Sequence, residues 1–366
     1  MLPCLYVLGQ ALGSIYLTVR VRQWLNLVLG TETGLVVGAL FLAYFFISLK
    51  VGGHYLVARN RVCTYISGVS TFLVIYLTMA AAVSDLLRLA AGLVVKDAAS
   101  RQLLFLACGW LCLIFLVCTT FGAMSQRNRI RIMEAPVHLE GFPGRYRIAL
   151  LSDLHIGYYV GVKHIRRVVE ETNRLHPDMV VISGDMINAG NTRECPEIHQ
   201  VARLLAGLKS GEGTFAITGN HDPAVSDPDF QQFLREARIT LLEDDVYTNR
   251  RFNLVGRATR THPRQTLDKL KEGTDPALPD IVVDHDPLGV REAAAAGEAL
   301  ILCGHTHRGQ VFPLNLFCRI MYSREEFWGQ SKVQNTNVIV TAGAGYFSMP
   351  MRLGSACEVW SIDLEG

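Results

Sequence analysis

The sequence has few of the features that stabilise secreted proteins. Its nine cysteines form no Cys-x-x-Cys pair and show no regular spacing, and no Asn-x-Ser/Thr acceptor for N-glycosylation occurs. Five cysteines lie in or beside apolar runs: Cys4, Cys63, Cys108, Cys112 and Cys118. The spacing excludes a disulfide framework and a zinc ribbon, and both absences fit a reducing compartment. No internal repeat is present either.

Charge is scarce in the first third of the chain, although the full 366 residues carry a formal charge of +2. This part holds four apolar runs: Leu2–Val19, Gly34–Leu49, Cys63–Val83 and Leu103–Met124. A helix needs about 20 apolar residues to cross a bilayer, which the last two runs meet easily and the first two barely. We predict a bundle of about four transmembrane helices in residues 1–125. Buried soluble helices are disfavoured because the charged residues lie almost wholly between the runs.

The first run is preferred as a retained helix over a cleaved signal peptide, because it has no basic n-region and no clear cleavage site. With four spans, one side carries Lys50, Arg59, Arg61, Arg127, Arg129 and Arg131, and the other carries Arg20, Arg22, Arg88, Lys96 and Arg101. Six basic residues against five is a narrow excess. It favours a multi-pass membrane protein in which residues 126–366 are cytoplasmic.

Short apolar runs alternate with helical patterns in residues 126–366. We predict strands at 147–151, 179–182, 214–218, 281–283, 300–303 and 338–341, and helices near 163–175, 198–208 and 229–237. Such short runs are typical of strands buried on both faces, and their alternation with helices indicates one layered α/β domain. Residues 250–279, rich in Arg, Lys, Thr and Pro, are predicted to be a surface excursion with one short helix.

Five short polar motifs directly follow apolar runs. They are Asp153-Leu154-His155, Gly184-Asp185, Gly219-Asn220-His221-Asp222, His285 and Gly304-His305-Thr306-His307. Open α/β sheets place their sites just beyond the carboxyl ends of the strands. Together the motifs offer three carboxylates, an amide and five imidazoles, enough for two adjacent metal ions.

The ligand types in these motifs favour particular metals and a particular chemistry. Asp153 and His155 can reach one ion from an extended loop, and the two oxygens of Asp185 can bridge two ions. Mixed carboxylate and imidazole ligands suit Mn, Fe or Zn better than Ca. One motif alone is usually only loop polarity, but five in order indicate a dinuclear site. Two such ions can clamp a phosphoryl group and generate a hydroxide to attack it.

His221 is predicted to lie beside the ions without binding them. An imidazole there can stabilise the transition state or protonate the leaving oxygen. The neighbouring Asp222 is expected to orient the ring. A purely structural histidine is the alternative.

These motifs resemble those of the calcineurin-like metallophosphoesterase superfamily, over roughly residues 145–364. Within it the chain is most similar to a bacterial phosphodiesterase-type branch, in the start Asp153-Leu154-His155, the segment from Gly304 to Gln310, the run 342–345, Pro350, Arg352 and Glu358. The resemblance implies a four-layer α/β/β/α sandwich. The chain departs from the pattern at two places: Asn188 stands where many members have Asp, and the segment 256–260 lacks a common acidic residue.

The resemblance also implies roles for individual residues. Asp153, His155, Asp185 and His307 would hold one ion, Asp185, Asn220, His285 and His305 the other, and His221 would be the catalytic histidine. It implies hydrolysis of a phosphate ester by a metal-bridging hydroxide without a phosphoenzyme. A phosphodiester is favoured over a phosphomonoester.

The membrane runs favour a lipid-linked substrate, such as a phospholipid, an isoprenoid phosphate or a nucleotide-linked lipid, while a soluble phosphodiester or phosphoprotein stays open. No nucleic-acid partner is expected. One alternative is a scaffold or binding module on the same fold. A protein that had lost the enzymatic function should first have lost metal ligands, and none of the expected ligands is missing. Another is a transporter, but the apolar runs carry essentially no charge that would mark a pathway.

Overall fold

The computed structural model describes residues 2–31, 34–40, 43, 61–188 and 190–366. The chain divides into two compact units. One, here called the helical unit, comprises Met1–Met124 and Ser348–Met351. The other, here called the α/β unit, comprises Ser125–Phe347 and Arg352–Gly366.

Among the described residues, the first part of the chain contains three long helices: α1 (Leu2–Leu29), α2 (Arg61–Ala91) and α3 (Ala98–Arg127). Leu17 of α1 and Val74 of α2 are buried against each other. Among the described residues, α2 and α3 are long and apolar enough to cross a membrane. Half of the second apolar run, Gly34–Leu49, lies outside the described residues, so the predicted four-helix bundle is not confirmed.

The α/β unit is built on two six-stranded sheets. The first has the order β1-β12-β2-β3-β4-β5 and the second the order β10-β11-β9-β8-β7-β6. Both are mixed, because β12 runs antiparallel to β2, and β10 and β6 run antiparallel to their neighbours. The strands are β1 (Ile130–His138), β2 (Arg145–Leu151), β3 (Met179–Ser183), β4 (Thr214–Ile217), β5 (Ile239–Leu241), β6 (Asp245–Thr248), β7 (Asn253–Gly256), β8 (Asp280–Val283), β9 (Leu300–Cys303), β10 (Gly329–Val333), β11 (Thr336–Val340) and β12 (Cys357–Glu365).

The main hydrophobic core lies between the two sheets. Ile148 and Val181 of the first sheet and Leu254 and Ile339 of the second belong to one buried cluster. The helices of this unit are α4 (Val162–Arg174), α5 (Ile198–Leu205), α6 (Pro228–Ala237), α7 (Leu267–Lys271), α8 (Val290–Ala296), α9 (Leu314–Met321) and α10 (Arg324–Phe327). α7 and α8 cover the outer face of the second sheet. The predicted α/β sandwich is therefore confirmed.

The apolar runs correspond closely to the observed strands, but one prediction was wrong. Residues 250–279 are not wholly a surface excursion, because β7 (Asn253–Gly256) is fully buried and pairs with β6 and β8. A four-residue strand that begins with Asn and ends with Gly shows no apolar pattern. The Asn253 amide is satisfied inside the fold by donating to Asp280 Oδ1 at 2.7 Å and to the Asp275 carbonyl at 2.9 Å.

Candidate metal centre

The strand ends bring most of the predicted ligands together. Asp153, His155 and His307 form one group and Asp185, His285 and His305 a second, with the ligand atoms of each group within 4.8 Å of one another. All are buried except His305, which is half-buried.

Asp185 lies between the two groups. Its Oδ2 is 3.6 Å from His155 Nε2 and 3.2 Å from His285 Nε2. Within the first group, His155 Nε2 lies 3.0 Å from His307 Nε2, and within the second, His285 Nε2 lies 3.3 Å from His305 Nδ1. One carboxylate oxygen thus faces imidazole nitrogens of both groups, which is the arrangement a bridging ligand requires.

Two buried oxygen acceptors at the predicted ligands lack hydrogen-bond donors. Asp153 Oδ1 and Asn220 Oδ1 have no hydrogen-bond partner among the described residues. Buried polar atoms are nearly always paired, so such orphaned acceptors call for an explanation. A bound cation would explain both, because an amide oxygen and a carboxylate oxygen can each bind a metal ion.

The charge balance of the site also fits cations. Asp153 and Asp185 are almost fully buried, and among the described residues their ion-pair partners are histidines alone. Burial would lower the pKa of His285, but the adjacent Asp185 carboxylate outweighs burial and raises this pKa to about 10. Burial lowers the pKa of His155 to about 4, because the two aspartates offset it only in part. His155 is therefore neutral, which is the form of imidazole that binds metal, whereas His285 holds a proton that supplies the positive charge a metal ion would otherwise bring to Asp185.

Five of the predicted ligands have backbone conformations that non-glycine residues rarely adopt. Their φ angles are positive, from 45° to 70°, at Asp153, His155, Asp185, His305 and His307. Backbone hydrogen bonds hold the first two motifs together: Asp153 N donates to Gly184 O at 2.9 Å and His155 N to Asp185 O at 3.0 Å. Such strain is typical of functional sites, where surrounding structure enforces it.

The glycines of the motifs leave room for these ligands. At Gly184, whose φ is +93°, a Cβ would lie 2.7 Å from His285 Nδ1. At Gly304 a Cβ would lie 2.5 Å from Asp153 Oδ2. A side chain at either position would therefore displace a ligand.

Further hydrogen bonds orient the ligands. Ser152 Oγ and His305 N donate to Asp153 Oδ2 at 2.6 and 3.0 Å. His285 Nδ1 donates to the Ser183 carbonyl at 2.7 Å, which leaves Nε2 directed at Asp185. Fixing the ring in this way is what supporting groups do at metal sites.

His221 borders the centre without entering either ligand group. Its ring centroid lies 5.3 Å from that of His155 and 4.4 Å from that of Phe347, and its backbone N donates to Asp185 Oδ1 at 2.8 Å. The expectation that Asp222 orients this ring is wrong, because its carboxylate accepts instead from two backbone N–H groups, of Ile187 at 2.7 Å and Gly219 at 2.8 Å. Phe347, which the motifs did not reveal, is the ring in contact with His221.

The departure at Asn188 is accommodated without a metal-directed carboxylate. Its amide nitrogen donates to Glu194 Oε2 at 3.3 Å, and its Cβ lies 3.1 Å from where a Cβ on Gly157 would be. Asn188 therefore stabilises the loop beyond Asp185 through these contacts.

The match to a family model falls within the α/β unit. A family model described as calcineurin-like phosphoesterase matches residues 146–309. The chain is 29% identical over 238 residues to an uncharacterized metallophosphoesterase of Helicobacter pylori, covering 63% of each chain. It is 30% identical over 275 residues to the transmembrane protein with metallophosphoesterase domain of Danio rerio, covering 69% of this chain and 61% of that protein. An uncharacterized metallophosphoesterase of Aquifex aeolicus is 26% identical over 261 residues, which is 68% of this chain and 98% of that protein.

The chain spans about six-tenths of the length of the first two of these relatives. The segment that the family model matches contains every predicted ligand and His221. The resemblance inferred from the motifs is thus confirmed: this chain carries a calcineurin-like phosphoesterase domain in residues 146–309.

Proposed function

We propose that this protein is a metal-dependent phosphoric ester hydrolase with a dinuclear centre of Mn, Fe or Zn. The position of Asp185 between two histidine groups carries the proposal. Asp153, His155, Asp185 and His307 would hold one ion, and Asp185, Asn220, His285 and His305 the other. The buried carboxylates and orphaned oxygens fit this assignment.

Two divalent ions at this site would supply Lewis acidity toward the phosphoryl oxygens and lower the pKa of a water molecule that acts as nucleophile. The chain's own residues would do the rest. His221, half-exposed at the edge of the centre, would donate a proton to the leaving oxygen. Phe347 would hold the His221 ring on one side and exclude water there. Asp222 would fix the loop that places His221 N against Asp185.

We further propose that residues 1–125 anchor the enzyme in a membrane, with residues 126–366 as the cytoplasmic metallophosphoesterase domain. Helix α3 supports the anchor, since Leu111, Val117 and Phe121 are 63%, 60% and 75% exposed. A helix of this length with exposed apolar side chains is stable in lipid and unfavourable in water. The proposed substrate is a phosphodiester rather than a monoester, lipid-linked because of the anchor.

The test uses the full chain purified in detergent. Hydrolysis of bis-p-nitrophenyl phosphate and p-nitrophenyl phosphate is measured with Mn or with EDTA, and bound metal is measured by elemental analysis. We expect metal-dependent turnover, faster on the diester, and about two ions per chain, the number a dinuclear centre holds. The Asp185→Asn variant should lose hydrolysis and bound metal while its melting temperature in EDTA stays close to that of the parent chain.

Asp229→Asn is the matched control, because Asp229 is an exposed residue in the first turn of helix α6 and belongs to neither ligand group. It should keep both turnover and metal. Full activity of Asp185→Asn would refute the two-metal mechanism. A folded parent chain with neither metal nor turnover would favour the scaffold or binding module instead.

A further inference from the structure

The large apolar side chains of the α/β unit are buried almost everywhere except in one segment. Eight of them are exposed among the described residues of this unit, and six of the eight fall within residues 312–321. The six are Phe312, Leu314, Leu316, Phe317, Ile320 and Met321. We call the five of these that belong to helix α9 the apolar face. So concentrated an apolar patch on an otherwise polar surface marks an interaction site.

Helix α9 is amphipathic but buries none of its residues. Leu314, Phe317 and Met321 recur at the spacing of one helical face, and Ile320, beside them, is 82% exposed. A helix of eight residues is too short to be stable alone in water, so the rest of the fold must hold it. Its apolar side therefore faces outward although the helix has a fixed place in the fold.

That fixed place is next to the metal centre. The backbone of Gly309 lies so close to α9 that a Cβ on Gly309 would be 2.3 Å from Asn315 Cα. Gly309 is two residues beyond the ligand His307, in the same short turn. Whatever the apolar face contacts is therefore brought near the centre.

We propose that the apolar face of α9 inserts into the boundary between headgroups and acyl chains of the bilayer that anchors this chain. The proposal rests on the membrane anchoring proposed above. α3 ends at Arg127 and β1 begins at Ile130, so two residues separate a helix of membrane-spanning length from the first strand of the α/β unit. Because so short a segment joins α3 to β1, the lipid surface is within reach of the α/β unit in every copy of the chain.

The charge on α9 suits the same partner. Arg319 is exposed and forms no ion pair within the part of the chain that the structure describes. A cation beside an inserted apolar face is typical of helices that lie in the interface, where it meets lipid phosphates. The insertion deepens the proposed function: it would present the metal centre to phosphate esters that reside in the bilayer.

Photo-crosslinking of the full chain in nanodiscs of phosphatidylcholine and phosphatidylserine tests this directly. A diazirine amino acid replaces Leu316 in one sample and the exposed Glu272, outside α9, in the control. We expect lipid adducts at position 316 and only background at 272. Adducts of position 316 with the chain itself or with a second copy would overturn the proposal, as would reaction with water alone.

A second variant separates insertion from simple proximity. In a chain with the probe at 316, the exposed Phe317 and Ile320 are both changed to Glu, which should lower the lipid adducts to the level of the 272 control. Undiminished adducts would refute insertion. Bound metal and hydrolysis of the soluble bis-p-nitrophenyl phosphate should be unchanged in this variant. Those two readouts test the proposed function independently, so failure of either proposal is distinguishable from failure of the other.

Discussion

Replacing Arg352 should damage the metal centre although the side chain is not a predicted ligand. Arg352 is fully buried and donates to the Gly345 carbonyl at 2.6 Å, to the Ala342 carbonyl at 2.7 Å and to Ser355 Oγ at 3.1 Å. No carboxylate pairs with it among the described residues. The turn that it holds lies against the first metal motif, because Gly345 N donates to the Asp153 carbonyl at 2.9 Å.

The size of the effect follows from these contacts. Arg352→Ala leaves the carbonyls of Ala342 and Gly345 without their main donors, at about 1–3 kcal/mol each. The cavity adds to that loss, and removal of a buried, unpaired charge offsets part of it. A net loss of about 3 kcal/mol lowers the melting temperature of a domain of this size by roughly 6–12 °C.

Thermal unfolding of the full chain in detergent measures this loss. EDTA is present so that metal binding does not add to the stability of the parent chain. Arg352→Lys should fall between the parent and the Ala variant, because an ammonium keeps the charge but cannot reach all the acceptors. Arg145→Ala, whose side chain is 88% exposed, is the control and should stay within about 0.5 kcal/mol of the parent.

Metal binding gives a second readout for the same variants. We expect Arg352→Ala to bind Mn more weakly than the parent at a temperature where both are folded, because the turn behind Asp153 is no longer fixed. A melting temperature within about 2 °C of the parent, less than 1 kcal/mol by the same conversion, would refute the reasoning.

Three further predictions concern the same unit. His221→Ala should lower turnover about 10²–10⁴-fold with metal content unchanged, and loss of a metal equivalent would contradict its assigned role. Gly304→Ala should lose metal, since its Cβ would lie 2.5 Å from Asp153 Oδ2, whereas a Cβ on Gly122 meets nothing within 4 Å, so Gly122→Ala should be neutral. Burial lowers the pKa of His164 to about 4. The unfolded chain therefore binds a proton at His164 at a higher pH than the folded chain does. As pH falls from about 6.5 to 4, the free energy of unfolding of the parent should decrease by up to about 3 kcal/mol through this residue, and that of His164→Gln should not. Melting temperatures measured against pH would show the difference.

The sequence was sufficient to locate the predicted ligands because of how parallel strands are arranged. β2, β3 and β4 run parallel in one sheet, and β8 and β9 run parallel in the other. Each predicted ligand directly follows one of these strands, so the chain order of the motifs was enough to bring them to one edge. An apolar run and the polar motif that follows it are both visible in a short stretch of sequence. They can be recognised without knowing which strands pair with each other.

Pairing between distant strands left no such signal. β12 (Cys357–Glu365) lies between β1 and β2, parallel to the first and antiparallel to the second. Its neighbours are more than 200 residues away in sequence, and nothing in residues 357–365 indicates them. The four residues of β7 were missed because Asn253 and Gly256 obscure the apolar pattern.

The misjudged role of Asp222 has a different physical cause. Adjacent residues in a turn seldom point the same way, and a short carboxylate there readily accepts from nearby backbone N–H groups. Asp222 accepts from two of them, and among the described residues no hydrogen bond joins its carboxylate to the His221 ring. The ring is instead in contact with Phe347, which lies 126 residues farther along the chain and had no motif to mark it.

Local sequence therefore marks the predicted ligands of this centre, but residues outside that set hold them in place. Five of the predicted ligands occupy left-handed backbone conformations, each of which costs of order 1–3 kcal/mol. They keep them because Gly184 and Gly304 leave space and because Arg352 ties down the turn behind Asp153. A variant that retains every ligand can thus lose the site. Conversely, a chain that has the motifs without these supports should bind metal weakly, which is why metal content and melting temperature must be measured together in each variant.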